Sequence, residues 1–135
     1  MSRRNVKALQ RVYEAMARGD FWAARQVFAP DIEWRWSPST STLTGDRTYH
    51  GIEGVEAATR DWLQAWDRFW QEAEEFIDAG DAIVVITRTH GRPKGGDREI
   101  EAALAEVWTF RDDKAIRFEG FDSREDALRA VGLAD

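Results

Sequence analysis

A chain of 135 residues is expected to form one domain, 1–135, that buries roughly two thirds of the surface its unfolded form exposes and needs no staple. It has no cysteine, which excludes thiol nucleophiles, zinc–thiolate sites and disulfide frameworks. A net charge of -6, with arginines mixed among acids, argues against a nucleic-acid partner, while the lack of any run of 18 apolar residues or apolar leader argues against a membrane and for the cytoplasm.

In chain order, Val6, Leu9, Val12, Tyr13, Met16 and Ala17 recur at helical spacing and predict a helix from Asn5 to Arg18, stopped at Gly19. Asp20 is expected to cap a shorter helix through Phe28, which Ala29-Pro30-Asp31 breaks. Ile32 to Trp36 then alternates as a strand with Ile32, Trp34 and Trp36 on one side. Ser37 to His50 reads as a loop by composition, long enough for a functional lid or a disordered segment. From Gly51 a third helix is predicted to about Asp67, with Val55, Ala58, Trp62, Leu63, Trp66 and Phe69 on one broad face. Strands follow at Trp70 to Asp78 and Ala82 to His90, then a hairpin loop from Gly91 to Asp97. Arg98 to Phe110 and Lys114 to Asp122 complete a meander, and a short helix starts at Ser123. The layout is α+β, with helices over one face of a curled antiparallel sheet.

The last hairpin carries the chemistry. A three-residue loop, Arg111-Asp112-Asp113 with Asp113 left-handed, would pair Trp108 with Ile116 and Glu106 with Phe118. One face then holds Leu104, Glu106, Trp108, Phe110, Ile116, Phe118, Gly120 and Asp122. A two-residue loop would oppose Glu106 to Glu119 and break the apolar stripe, so the three-residue register is expected.

Glu106 is the sharpest candidate, because a carboxylate inside an apolar stripe beside Trp108 has its charged form disfavoured and its pKa raised. Such a group exchanges protons near neutral pH; the structural alternative is a buried ion pair with an arginine. Asp122 is a second candidate acid, although Asp122 with Glu125, or Ser123 with Asp126, also makes a helix-capping pattern. His50 and His90 stand apart and give no metal signature. Seven tryptophans are the compositional excess. Trp34, Trp36, Trp62, Trp66 and Trp108 fall on faces turned inward, where they either fill the core or line a slot for a hydrophobic, aromatic ligand. Met16 and Phe118 join that wall. The outer face of the sheet, with Val84, Ile86, Ala103, Ala105, Val107 and Thr109, is apolar enough to predict a homodimer interface.

Four phrases in order, Tyr13-Glu-Ala-Met-Ala-Arg-Gly-Asp20, Tyr49-His-Gly-Ile-Glu-Gly-Val55, Trp108-Thr-Phe-Arg-Asp-Asp-Lys114 and Ala127-Leu128 before Gly132-Leu133, resemble the SnoaL-like branch of the nuclear-transport-factor-2-like superfamily. The resemblance implies a cone-shaped α+β barrel whose bent sheet wraps a pocket closed by the N-terminal helices, often dimeric. It also implies one of several activities, among them polyketide cyclisation, ketosteroid isomerisation and hydrolysis, or binding alone. By that resemblance Glu106 fills an acidic position shared by cyclases and isomerases. The isomerase base is replaced by Trp36, and the helix-one tyrosine by Val12, with Tyr13 one step off and turned away. The cyclases' fifth-strand aspartate falls at Gly120, leaving Asp122 the nearest acid. The expected protein is therefore a cofactor-independent acid/base enzyme for a hydrophobic carbonyl compound, with Glu106 as acid/base and Asp122 as a second polar group. The alternative is a non-catalytic binding or dimeric module of the same fold.

Overall fold

The long apolar stripe of the first segment buries Leu9, Val12, Tyr13 and Met16 and makes α1 (Ser2–Ala17). The structure, a computed structural model, describes residues 2–39 and 47–133. A 3₁₀ helix follows at Phe21–Val27, then β1 (Phe28–Arg35), β2 (Thr48–His50) and α2 (Gly51–Leu63). The meander is β3 (Trp66–Asp78), β4 (Ala82–Pro93), β5 (Ile100–Arg111) and β6 (Lys114–Phe121), and α3 (Arg124–Ala130) comes last. Of the loop expected from Ser37 to His50, Thr48–His50 is strand and residues 40–46 lie outside the described residues.

The six strands form one sheet in the order β2-β1-β6-β5-β4-β3. This overturns the closed, wholly antiparallel barrel expected above. β1 runs parallel to β6, with Trp34 opposite Phe118, because α2 and the meander carry the chain across before it returns beside β1. The sheet is mixed, and it is open, with the three-residue β2 at one edge and β3 at the other. Pro30, expected to end a helix, lies inside β1. It is tolerated because pairing with β6 is interrupted between Phe28 and Glu33, where no ladder hydrogen bond is asked of it.

Several element boundaries differ from those expected: β1 begins at Phe28, β4 runs on to Pro93 through the start of the expected loop, and two further shifts have tertiary causes. The helix expected to reach Asp67 stops at Leu63, and Trp66 opens β3 opposite Pro93. Its indole lies against Gly91, where a Cβ would come within 2.5 Å of the ring, so the bare backbone of β4 makes room for it. At the last hairpin the turn has two residues, Asp112 and Asp113, with Arg111 opposite Lys114 and Asp112, not Asp113, at φ +60°. A bulge then intervenes, since Phe110 pairs with Ala115 and Thr109 with Arg117, leaving Ile116 over. Trp108 consequently faces Phe118, and Glu106 faces Gly120. The expected partners are displaced by two residues, which preserves the face, and Ala115 takes the inner place predicted for Ile116.

The concave face holds the main core, with Ile83, Val85, Trp108 and Phe118 packed under α1, the 3₁₀ helix and α2. The convex face carries a second cluster, in which Ala127 of α3 covers Val84, Ala105 and Val107. That helix is capped by Ser123, whose Oγ accepts the Asp126 amide at 3.1 Å. Of the residues assigned above to a dimer interface, Val84, Ala105 and Val107 are thus already covered within the chain.

Candidate functional site

Period-two alternation along β5 turns Leu104, Glu106, Trp108 and Phe110 to the concave side, and β3 brings Gln71 beside them. Glu106 is 9% exposed. Two donors converge on its Oε1: the Tyr13 hydroxyl, from α1, and Gln71 Nε2 at 2.9 Å. Trp108 Nε1 donates in turn to the Tyr13 oxygen at 2.9 Å. An indole N–H can only donate, so the direction of the chain is fixed: Trp108 to Tyr13 to Glu106. Tyr13 is therefore not turned away from the site, as its offset from the family position suggested. The last turns of α1 bury both Val12 and Tyr13.

Burial pushes the Glu106 carboxyl up to about 7, against the opposing pull of its hydrogen bonds from Tyr13 and Gln71. The Tyr13 hydroxyl is held well above its ordinary range, first by burial and then by the Glu106 charge, so it remains a donor. Glu106 lines a cavity of about 60 Å³. With Oε1 engaged twice and no described residue on Oε2, a proton taken up by this carboxyl belongs on Oε2.

Of the residues singled out in the sequence, Met16, Trp34, Trp36, Trp62 and Phe118 line the same cavity as Glu106. Trp34 stacks on Phe118 with centroids 3.8 Å apart, and Trp36 lies 5.7 Å from Trp62. Trp108 and Trp66 stand behind this wall. Trp108 is fully buried and works through Tyr13, while Trp66 props Trp62 at 5.2 Å. Asp122 is exposed and outside the cavity; its carboxylate accepts the Ser39 hydroxyl at 2.6 Å and the Ser39 amide at 3.2 Å. It fastens the chain that follows β1, and Ser37 of that segment lines the cavity.

At Gly120 an added Cβ would sit 2.8 Å from the Ser37 amide nitrogen. The position of the cyclases' aspartate is thus filled by backbone, and Glu106 is the one carboxylate among the described lining residues. Tyr13 and Gln71 were missed as site residues. Tyr13 stood in the stripe of α1, but nothing local distinguishes a core tyrosine from one aimed at a carboxylate; Gln71 reaches Glu106 only through the pairing of β3 with β4, which spacing does not show.

The histidines lie elsewhere. His90 stacks on Trp70 on the convex face, with Glu72 2.9 Å away and Glu101 3.4 Å away; His50 is exposed near Glu33. Among the described residues no three His, Cys, Asp or Glu are grouped to hold a metal ion. No described helix is long and apolar enough to cross a membrane.

A family model described as SnoaL-like domain matches residues 9–118. No curated protein matches the chain at a significant level. Among solved structures, an NTF2-like protein of unknown function from Burkholderia pseudomallei K96243 is 26% identical with a TM-score of 0.79, over 96% of this chain and 98% of that one. TerC, co-crystallized with polyporic acid, is 21% identical with a TM-score of 0.78, over 95% and 98%. A protein provisionally assigned as a SnoaL-like polyketide cyclase, from Jannaschia sp. CCS1, is 18% identical with a TM-score of 0.72, over 99% and 94%.

Proposed function

Because the chain belongs to the SnoaL-like domain family, which pairs one fold with some enzymes and many proteins of unknown function, we propose from its own site that it is a cofactor-independent acid/base enzyme. The carrying observation is Glu106, buried, poised near neutrality and lining an aromatic cavity, with both of its donors on Oε1. Its substrate is a hydrophobic compound with an acidic C–H beside a carbonyl. As carboxylate, Oε2 takes that proton; as acid, it returns it to another position of the resulting enolate, so no outside reagent is consumed. Tyr13 and Gln71 keep Oε1 occupied and the carboxyl plane fixed. A cavity of about 60 Å³ is small beside ligand pockets of roughly 300–1,000 Å³. Admission of a larger substrate therefore requires the half-buried Trp22 and Trp36 at its wall to swing aside.

Catalysis is tested by exchange of the α-proton of aryl and alicyclic ketones in D₂O, followed by NMR, for the wild type and Glu106→Gln. The amide preserves shape and cannot titrate, so exchange is expected to fall about a hundredfold to ten-thousandfold. Equal exchange by the two proteins would end the acid/base reading. The second reading, a binding module without chemistry, is favoured by the missing second carboxylate at Gly120. It predicts that Trp62→Ala removes ligand binding while Glu106→Gln changes nothing. A homodimer belongs to either reading through the strip of convex face that α3 leaves open, around Ile86 and Ala103; sedimentation at micromolar concentration tests it, and a monomer mass refutes it.

A further inference from the structure

A second concavity lies between α1, the 3₁₀ helix and the β5–β6 turn, and nothing in the acid/base reading uses it. Its rim carries Arg3, Arg4, Lys7, Arg11, Arg18 and Lys114. Only Asp20 and Asp113 among the described lining residues oppose them, in a chain whose net charge is -6. No carboxylate among the described residues lies within ion-pair distance of any of the six; elsewhere Arg88, Arg117 and Arg129 are paired, while Arg60, Arg92 and Arg98 are not. Arg18 and Lys114 reach only backbone oxygens, of Glu14 and Gln26. Between them the concavity is lined by the small apolar Ala8, Val12, Ala15, Ala23 and Val27, together with Asn5 and Gln26.

This arrangement works against the helix that bears it. Arg3 and Arg4 stand in the first turn of α1, which has no acidic residue, so they face the positive end of the helix dipole. Arg3, Lys7 and Arg11 are spaced four apart, where like charges repel by roughly 0.2–0.5 kcal/mol per pair. A segment arranged against its own local stability, in a chain with acids to spare, is one whose charges answer to something outside the fold.

We infer that this groove docks an acidic helix of a partner protein. Arg3 to Arg18 spans about 20 Å at the helical rise, the length of about four turns, and the basic rim over a largely apolar floor complements a helix with carboxylates flanking small apolar side chains. A nucleic-acid backbone would give the rim phosphates but bring no apolar side chains to the floor, and a bilayer, being flat, would not reach the floor of a concave site.

The test uses the full chain and a fluorescein-labelled helical peptide of roughly 15 residues with Glu along two flanks of an Ala/Leu face. Its companions are a single-stranded oligonucleotide of similar length and phosphatidylcholine/phosphatidylserine vesicles. The peptide is expected to bind, to weaken at least about tenfold between about 50 mM and 300 mM salt, and to lose at least about tenfold in affinity to Arg4→Glu/Lys7→Glu/Arg11→Glu. Circular dichroism must show the variant folded; if it is not, Arg4→Gln/Lys7→Gln/Arg11→Gln replaces it in the same comparison. Failure of the peptide to bind, equal binding by a folded variant, or tighter binding of the oligonucleotide or the vesicles overturns the proposal. Ketone exchange by the folded variant is expected unchanged, so the groove and the acid/base site fail or stand separately.

Discussion

At Glu106 the two effects that set proton affinity oppose each other, and burial wins: the carboxyl rises from 4.5 to about 7 despite two hydrogen bonds. Between those values the unfolded chain has released a proton that the folded chain still holds, so stability falls as pH rises through the window and is fully present below it. At about 1.4 kcal/mol per unit the loss amounts to about 3 kcal/mol. Glu106→Gln mimics the protonated acid. Urea denaturation from pH 4 to 8 is expected to show the variant gaining on the wild type by about that amount as pH rises. Tyr13 and Gln71 both favour the carboxylate, so Tyr13→Phe and Gln71→Leu should each move the Glu106 titration, followed by NMR of its side-chain carbon, to higher pH. Tyr13→Phe also strands the Trp108 N–H and should cost about 1–3 kcal/mol. An unmoved titration in both variants would mean that the donors are not engaged in solution.

At the level of elements, the site is assembled where β1 leaves the sheet and passes over β6. Gly120 lets the Ser37 backbone approach, and Asp122 ties Ser39 two residues further on. Gly120→Ala places a methyl against backbone, which cannot yield as a flexible side chain can. We expect a loss of about 1–3 kcal/mol, read by thermal denaturation, together with weaker ligand binding because Ser37 is displaced from the cavity wall. Asp122→Ala should cost about 1 kcal/mol and leave the pH dependence of proton exchange where it was, since this carboxylate does not line the cavity. A shifted pH profile in Asp122→Ala would make it part of the acid/base machinery after all.

For the molecule as a whole, the open sheet has two faces solved differently. The concave face is roofed by helices and encloses the cavity, whereas the convex face is half covered by α3 and half bordered by charge pairs such as Arg88 with Glu74 and Glu101. Removing α3 by ending the chain at Asp122 exposes Val84, Ala105 and Val107 together. This truncation is expected to cost about 3 kcal/mol or more in urea denaturation and to raise association at micromolar concentration. If stability were unchanged, α3 would not be the cover the packing describes.

Local chemistry was enough for much of this. Period-two and helical spacing gave the order of elements and put Glu106 on the same face as Trp108 and Phe118, because alternation survives any even slip of register. Ser123 capping α3 was likewise written in four consecutive residues. What spacing could not decide is whatever depends on a partner distant in the chain. The parallel contact of β1 with β6 that opens the sheet and the convergence of Tyr13 and Gln71 on one oxygen each join residues far apart in sequence, whereas the bulge at Ile116 turns on the backbone detail of a local hairpin that alternation does not resolve. A chain states its periodicities locally, but the partner of a buried polar group is chosen by the packing of the whole, since that packing alone determines which donor lies within reach once water is excluded.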